Sequence, residues 1–238
     1  MRISRVCLAA AIAVLLPKLA VAQAPAPQTS PAEDKDRAVA GGGITVPGWT
    51  GKVDSKAAAQ GLGTKDSKFE KQGDAIHMTI GPATTFWNPA NVVKGDYTVK
   101  GTFTEPKQDF SHPHPMGLFI GGSKLGTPEQ SLVYCVAYRS GSFLVRRFNG
   151  DTVTTLVPRT PNDAVKKAAG PTDPVTQEIA WVVKGGKADC VINGTTVWSS
   201  PVADLVGPGK LESTDGVWGI RVSHNMDLSV SGLSAGKS

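Results

Sequence analysis

The sequence predicts an all-β protein, a two-sheet antiparallel jelly-roll sandwich. Two observations lead to this prediction: apolar and polar residues alternate with a period of two in many short runs, and Gly or Asn-Gly turns separate those runs. Helical periodicity is scarce, and the best helix candidate, residues 164–169, covers less than two turns. Many short strands joined by tight turns are typical of sandwiches and jelly rolls.

The clearest strand lies at residues 97–104. Tyr97, Val99 and Phe103 fall on one face there, and polar residues fall on the other. Other runs rich in apolar, aromatic or β-branched residues predict further strands at 116–120, 132–138, 143–148, 151–157, 179–184, 187–192, 195–198, 217–222 and 228–233. Asn149-Gly150, Gly185-Gly186 and Asn193-Gly194 lie between neighbouring runs and predict β-hairpins.

The N-terminal 22 residues have the pattern of a signal peptide. Arg2 and Arg5 precede an apolar stretch at 6–16, and Ala20-Val21-Ala22 offers a cleavage site with small residues. Residues 23–43 are rich in Ala, Pro and charge and end in three glycines, so we expect a disordered tether. Residues 44–235 then form the β-sandwich domain. The protein is expected to be exported to the periplasm or the extracellular space, with no transmembrane span.

Charge argues against a nucleic-acid partner. The chain has 25 basic and 20 acidic residues, and three basic residues (Arg2, Arg5 and Lys18) lie in the predicted signal peptide, which leaves 22 basic residues against 20 acidic ones. The remaining basic residues are scattered along the chain and do not form one stripe. The sequence also shows no Gly-rich phosphate loop and no serine-hydrolase motif, so we expect no cofactor of those classes.

Two cysteines follow the predicted signal peptide, Cys135 and Cys190. An even number in an oxidising compartment allows one disulfide. Two buried thiols packed in strands are the alternative, because free cysteine behaves as a small apolar residue. Sequence spacing does not decide between them, since a disulfide requires specific Cβ positions.

Two segments resemble a known superfamily. Residues 176–185 continued by 188–194 are similar to a strand pair of laminin-G-like and other concanavalin A-like domains, and 219–233 resembles their last two strands. The chain therefore resembles the concanavalin A-like lectin/glucanase superfamily, and within it bacterial secreted domains of the 3-keto-disaccharide hydrolase type. The resemblance implies a jelly roll with a histidine before the last strand, here His224. The acidic strand of those relatives corresponds to Tyr134–Tyr138, which contains no acid, so their catalytic activity is not carried over.

Retaining glycoside hydrolysis is disfavoured on this sequence. It requires two carboxylates about 5–5.5 Å apart, which alternate residues on one strand could supply. Asp34 and Asp36 are the one acidic pair with that spacing after the predicted signal peptide, and they lie in the predicted tether. Glu178 and Asp189, on neighbouring predicted strands, are more simply explained as solvated charges.

Residues 111–116, Ser-His-Pro-His-Pro-Met, are the most unusual local sequence. His112, His114 and Met116 could bind a soft transition metal such as copper, because prolines stiffen the loop and imidazole and thioether groups suit such ions. A third or fourth ligand would have to come from His77 or His224. A rigid loop at a sheet edge, without metal, is the alternative.

A saccharide is the partner that the predicted fold and side chains favour. Sugars pair apolar faces with hydroxyl groups, so a binding groove combines aromatic and fixed polar side chains. One of Arg146 and Arg147 must share the face of Leu144 and Phe148. The candidate binding residues are Trp87, Asn88, Tyr138, Arg139, Arg146, Trp181 and His224, although the face that Trp181 occupies stays open.

We therefore hypothesise a secreted protein that binds a saccharide in a sheet groove without cleaving it. The alternatives are a glycoside-processing enzyme of the 3-keto-glycoside hydrolase or lyase type, and a structural protein of the cell envelope.

Overall fold

The computed structural model describes residues 34–108 and 112–238, which form a sandwich of two β-sheets. The predicted signal peptide (1–22) and residues 23–33 of the predicted tether lie outside the described residues. The eight-stranded sheet has the spatial order β1 (Gly43–Ile44), β3 (Lys68–Gln72), β4 (Ala75–Thr79), β15 (Asp227–Lys237), β6 (Tyr97–Glu105), β11 (Val175–Lys184), β12 (Lys187–Ile192) and β13 (Thr195–Pro201).

The seven-stranded sheet faces it and carries the candidate site. Its spatial order is β10 (Thr152–Pro161), β9 (Ser142–Asn149), β8 (Ser131–Tyr138), β7 (Pro115–Ser123), β14 (Gly216–Val222), β5 (Thr84–Val93) and β2 (Thr50–Val53). Neighbouring strands run antiparallel in both sheets, apart from the short parallel pair β1 and β3. The helices of the described residues are one turn long: α1 (Ser55–Ala58), α2 (Val202–Leu205) and a 3-10 turn at Thr64–Asp66. The predicted two-sheet antiparallel sandwich is confirmed.

The predicted hairpins are present. Gly185-Gly186 joins β11 to β12, and Asn193-Gly194 joins β12 to β13, with positive φ at all four residues. Two successive residues with positive φ form the turn whose twist matches paired strands, which explains the Gly and Asn at these positions. Asn149 ends β9 and the chain turns through residues 150–151 into β10.

The helix expected at residues 164–169 is absent. The amide of Lys166 donates to the side-chain carbonyl of Gln177 (3.1 Å), and the Gln177 amide donates back to the Lys166 carbonyl (2.6 Å). Val165 is buried in the core. The prediction is wrong because a neighbouring strand supplies both backbone hydrogen bonds of Lys166, which a helix would otherwise form internally.

The space between the sheets is the main apolar core. The Trp181 side chain is fully buried there on β11, with Ile179 and Val183 on the same face, and its indole N–H donates to the Leu118 carbonyl of the opposite sheet (3.1 Å). Buried tryptophan usually needs such a partner for its one polar atom. This contact between β11 and β7 links the two sheets.

A disulfide also crosses the core. The structure joins Cys135 on β8 to Cys190 on β12, with Cα atoms 6.2 Å apart and a sequence separation of 55. Both residues are fully buried. The bridge connects an inner strand of the seven-stranded sheet with the last strand but one of the eight-stranded sheet, so it holds the two layers together directly.

The described part of the predicted tether, residues 34–43, packs against the sandwich. The Arg37 guanidinium donates to the carbonyls of Ile80 (3.0 Å) and Met226 (2.8 Å), and the Asn225 side chain donates to the Lys35 carbonyl (2.9 Å). The composition of this segment predicts disorder, with its polar groups hydrogen-bonded to water. The structure differs because distant residues of the folded protein, Asn225 and Met226 before β15 among them, form hydrogen bonds with Lys35 and Arg37. They place the start of the described chain against the turn between β14 and β15, where the chain passes from one sheet to the other.

The outer face of the seven-stranded sheet carries a second, smaller apolar cluster. Its members alternate along the strands with the core residues and comprise Trp87, Phe119, Leu132, Tyr134, Val136, Leu144 and Phe148. No helix among residues 34–108 and 112–238 has the length and apolar character needed to cross a membrane.

Candidate functional site

A polar cleft of about 250 Å³ opens on the outer face of the seven-stranded sheet. It is lined by Asp34, His112, Pro113, His114, Pro115, Tyr134, Val136, Tyr138, Leu144, Arg146, Arg159, Arg221, Ser223 and His224. A second cleft of about 520 Å³ shares several of these residues and continues toward α1. Together they form an elongated groove.

Strand alternation explains why these side chains face the groove. Cys135 points into the core on β8, so Tyr134 and Tyr138 point outward. On β9, Val145 points into the core and Arg146 points outward. Because β8 and β9 pair with Tyr134 opposite Arg146, the phenol and guanidinium groups lie on adjacent strands of one surface.

Two arginines give the groove positive charge. Arg159 donates to the hydroxyls of Ser140 (2.7 Å) and Ser142 (3.0 Å), and its guanidinium carbon lies 4.2 Å from the centre of the Tyr138 ring. Neither Arg146 nor Arg159 forms an ion pair with a carboxylate in the described part of the chain. Their charge is therefore available to a ligand, and the planar guanidinium group matches carboxylate and phosphate geometry.

A third arginine is already neutralised. Arg221 on β14 forms two parallel hydrogen bonds with Asp54, each 2.6 Å long, and its guanidinium carbon lies 5.5 Å from the Tyr134 ring centre. Burial opposes the charge, but the Asp54 carboxylate outweighs it and keeps the pKa of Arg221 above its usual range. Arg221 therefore supports the floor of the groove and does not add to its free positive charge.

Histidines and aspartates occupy one end of the groove. The Nε2 atoms of His112, His114 and His224 lie 3.0, 3.2 and 3.3 Å from carboxylate oxygens of Asp34. The Nδ1 atom of His224 lies 2.5 Å from a carboxylate oxygen of Asp36. The His112 and His114 rings lie 4.7 Å apart between centres, and those of His114 and His224 lie 4.3 Å apart. The N-terminal segment thus closes this end with two carboxylates.

Burial changes the acid–base properties of two lining groups. Desolvation, followed by the nearby His224 imidazole, lowers the pKa of His114 to about 4, so His114 is neutral at pH 7. Desolvation raises the pKa of the Tyr138 phenol, against the opposing effect of Arg159 and Arg146, so this phenol stays protonated at neutral pH.

The structure brings five of the predicted residues together in this groove. Tyr138, Arg146 and His224 from the saccharide candidates meet His112 and His114 from the metal candidates. Four separate strands or loops supply them, so only the folded chain joins the two sets.

The remaining candidates lie elsewhere. Trp87 is on the outer face but is 6% exposed, packed in the smaller apolar cluster near Gly126. The Asn88 side chain accepts a hydrogen bond from the amide of Ala90 (2.9 Å) and lies against Gly48. Neither lines the groove, because other segments of the protein cover them.

Arg139, Trp181 and Met116 point away from the groove. Arg139 is 3% exposed, pairs with Glu105 (3.2 Å) and donates to the Gly170 carbonyl (3.1 Å). Trp181 and Met116 are fully buried in the main core. Met116 therefore does not belong to a metal site with His112 and His114, because strand alternation on β7 turns its thioether inward.

Sequence reasoning missed Asp34, Asp36, Tyr134, Arg159 and Arg221. Tyr134 carried a usable signal, because it shares the phase of Tyr138 on its own strand, whereas Arg221 is the one polar residue of its phase on β14. Arg159 lies beyond the run from which β10 was predicted. The spacing of the two aspartates was noted, but they were assigned to the predicted tether because their histidine partners are about 80 to 190 positions away in the chain.

Comparisons with known proteins identify the fold. No family model matches the chain, and no curated protein matches it. Among solved structures, a Bacillus subtilis protein of unknown function with a galectin-like fold has 13% identity and a TM-score of 0.52, covering 79% of this chain and 89% of that one. The chain therefore has a jelly-roll sandwich fold like that of this galectin-like protein.

Two further solved structures are similar at lower TM-scores. The carbohydrate-binding module CBM66 from Bacillus subtilis has 11% identity and a TM-score of 0.44, covering 82% of this chain and 98% of that one. An alginate lyase A1-II′ variant has 17% identity and a TM-score of 0.49, covering 82% and 96%. At these identities the likeness concerns the fold, so function has to be argued from the groove.

Proposed function

We propose that the protein binds a saccharide carrying a carboxylate group in the groove of the seven-stranded sheet, and that it does not cleave it. The observation that carries this proposal is the pair Arg146 and Arg159. Both line the groove beside Tyr138, and neither has a carboxylate partner among the described residues. A guanidinium group in a partly enclosed site favours an anionic ligand, because it can donate two parallel hydrogen bonds to a carboxylate.

The shape and polarity of the groove favour a sugar over a smaller anion. The two contiguous clefts share Arg146, Arg221 and Ser223 and form a surface longer than a single small ion needs. Hydroxyl, phenol, imidazole, guanidinium and carboxylate groups line the first cleft, and Val136, Leu144 and two prolines are its apolar residues. Such a lining suits a ligand with many hydroxyl groups and occasional apolar faces.

The partners of the groove carboxylates support binding without hydrolysis. Asp54 is held by Arg221 in a two-bond ion pair, and Asp34 is surrounded by three imidazoles. The usual hydrolytic mechanism needs one carboxyl group as an acid and a second as base or nucleophile. Asp36, the third carboxylate of the groove, contacts His224, so all three aspartates that line it are engaged with basic side chains.

Export is part of the proposal. Residues 1–22 have the pattern of a signal peptide, and the Cys135–Cys190 disulfide suits an oxidising compartment. Fractionation of the producing cells tests this: we expect the protein outside the cytoplasm, with an N-terminus near Gln23. A cytoplasmic chain that keeps residues 1–22 would contradict it.

The binding proposal is tested by the thermal unfolding midpoint with uronate-containing and neutral oligosaccharides of equal length. A ligand that binds only the folded state stabilises it by about 2.7 kcal/mol at a hundredfold excess over Kd. We expect uronate oligosaccharides to raise the midpoint more than neutral ones do. Arg146→Met should abolish that rise, and Lys184→Met, which removes an exposed charge from the other sheet, should leave it unchanged.

Two outcomes count against the proposal. Equal shifts for neutral and uronate ligands would reject the role of the arginines. No shift with any saccharide at millimolar concentration would leave a structural role of the sandwich as the better hypothesis.

A second candidate is a lyase that acts on the same ligand. It is favoured by the presence of the Tyr138 phenol, the His112 imidazole and the Arg146 guanidinium in one cleft. In such a reaction a base removes the proton beside the carboxylate, the bond to the glycosidic oxygen breaks, and that oxygen takes up a proton. The product contains a new carbon–carbon double bond, so ultraviolet absorbance during incubation with uronate oligosaccharides distinguishes turnover from binding alone.

A further inference from the structure

Three imidazoles and one carboxylate converge at the end of the groove. They are His112 and His114 before β7, His224 in the turn between β14 and β15, and Asp34 at the start of the described chain. The nearest ligand atoms of Asp34, His114 and His224 lie within 4.8 Å of one another. This site goes beyond the proposed saccharide binding, because its donor atoms are those that bind transition metals.

The separations suit a single ion between the side chains. In a tetrahedral site with metal–ligand distances of about 2.0–2.1 Å, neighbouring ligand atoms lie about 3.3 Å apart. The Nε2 atoms of His112, His114 and His224 lie 3.0, 3.2 and 3.3 Å from the oxygens of Asp34. The Asp34 carboxylate therefore already lies at about the ligand spacing from each imidazole, and Asp34, His114 and His224 form the compact part of the site. His112, whose side chain is 44% exposed, would have to turn toward the other two imidazoles to complete it.

The orientation of His224 supplies a second observation. Its Nδ1 atom lies 2.5 Å from the Asp36 carboxylate, which can only accept a hydrogen bond, so Nδ1–H donates to Asp36 and the Nε2 atom faces Asp34. Histidine ligands of metals almost always donate their other ring N–H to such an acceptor, which fixes the ring and raises its basicity. Asp36 thus acts as a positioning residue for His224.

The centre of the cluster is shielded from solvent. His114 is 7% exposed, and the Oδ1 atom of Asp34 is buried 3.2 Å from the Nε2 atom of His114.

We propose that His112, His114, His224 and Asp34 bind one divalent transition-metal ion, with Zn²⁺ as the ion of choice. Three nitrogen donors and one carboxylate suit zinc, whereas Ca²⁺ and Mg²⁺ take oxygen ligands. A soft copper(I) site through Met116 is excluded by the burial of Met116 in the main core. Because Asp34 comes from the N-terminal segment, the ion ties that segment to the sheet and closes the end of the groove.

The test is calorimetric titration of the untagged, chelator-treated full chain with Zn²⁺, followed by Co²⁺ absorption spectroscopy. We expect one equivalent of Zn²⁺ per chain, a raised unfolding midpoint, and a Co²⁺ spectrum of a four- or five-coordinate site. His112→Ala should weaken Zn²⁺ binding at least about tenfold, and Asp36→Asn, which leaves all four ligands in place, about 10- to 100-fold.

The chain offers a matched control. His77 is the fourth histidine, lies on β4 of the other sheet and pairs with Asp227 (2.9 Å) and Glu70 (3.7 Å). His77→Ala should bind Zn²⁺ as tightly as the wild type. The proposal is overturned if the wild type takes up no stoichiometric Zn²⁺, if His77→Ala weakens binding, or if His112→Ala and Asp36→Asn leave it unchanged.

The metal test stands apart from the saccharide test. His112 is 44% exposed and Asp36→Asn keeps the size of the side chain, so both variants should fold, which circular dichroism checks. The titration contains no saccharide. Failure of zinc binding therefore leaves the saccharide proposal in place, and failure of saccharide binding leaves the metal site in place.

Discussion

Reduction of the Cys135–Cys190 disulfide should destabilise the domain strongly. The bridge joins the two sheets and closes a loop with a sequence separation of 55 residues. In the chain-entropy model, opening a loop of this length increases the freedom of the unfolded chain by an amount worth about 4 kcal/mol at 25 °C. For a domain of about 200 residues, each kcal/mol lowers the midpoint by about 2–4 °C, so we expect a decrease of about 8–16 °C.

The assay is equilibrium unfolding in urea with and without reductant, in a chain whose third cysteine is removed by Cys7→Ser. Reduction deletes no core atom, so its effect reports the crosslink alone. Cys135→Ala combined with Cys190→Ala should cost more than reduction does, because it also removes two fully buried sulfur atoms. Identical urea midpoints with and without reductant, or two free thiols in the folded protein, would refute the crosslink between the sheets.

Three other substitutions test the packing around the groove and the core. Asp54→Ala should lower the free energy of unfolding by about 3 kcal/mol in urea, because it leaves the buried Arg221 without its carboxylate. Tyr97→Phe should lower the free energy of unfolding by about 1 kcal/mol, because it removes a buried hydrogen bond. Burial also raises the pKa of Tyr97, so the free energy of unfolding of the wild type should fall more steeply above pH 10 than that of the variant. Gly117→Ala should cost about 3 kcal/mol, because its Cβ would overlap a backbone carbonyl of β8, whereas Gly236→Ala, with open space around it, should be nearly neutral.

Each of these has a result that would contradict it. An Asp54→Ala loss below 1 kcal/mol would mean that water replaces the carboxylate at Arg221. Equal alkaline profiles for wild type and Tyr97→Phe would show that the phenol ionises as easily in the folded protein as in the unfolded one. A stable Gly117→Ala variant would show that β7 and β8 can move apart at that position.

The direction of the alkaline effect follows from proton binding. Above about pH 10 the unfolded chain releases the Tyr97 proton while the folded chain retains it, because the phenol is buried and donates to the Thr214 carbonyl at 2.5 Å. The folded state then binds more protons than the unfolded state. Stability therefore falls as the pH rises, and it is unaffected by this group below pH 10.

The local pattern of the sequence was enough to predict the sheets. Strict alternation at 97–104 and two-residue Gly or Asn-Gly turns specify strands and hairpins through interactions between neighbours in the chain. The same local reasoning was wrong at 164–169, where the Gln177 side chain supplies the backbone hydrogen bonds. It also gave no prediction for the strands between residues 43 and 93, whose alternation is weaker.

The candidate site was predicted in fragments. Tyr138, Arg146 and His224 were selected as one set, and His112 and His114 as another, because each set had a distinctive residue type or motif. Their meeting in one groove depends on the order of β7, β8, β9 and β14 in the sheet. Strand order is set by long-range pairing, which local patterns do not encode.

By itself, the sequence determined the all-β class, most strands of the second half, three hairpins and the residues that could carry chemistry. Only the tertiary structure decided which of these residues face the groove and that Cys135 meets Cys190. It also decided that Asp34 and Asp36, in a segment whose composition is that of a tether, contact the histidine cluster. The physical reason is the sequence separation of the interacting residues. Alternation and turns depend on residues a few positions apart, whereas the disulfide and the histidine cluster join positions 55 to 188 residues apart. Such positions come close together only once both sheets have formed.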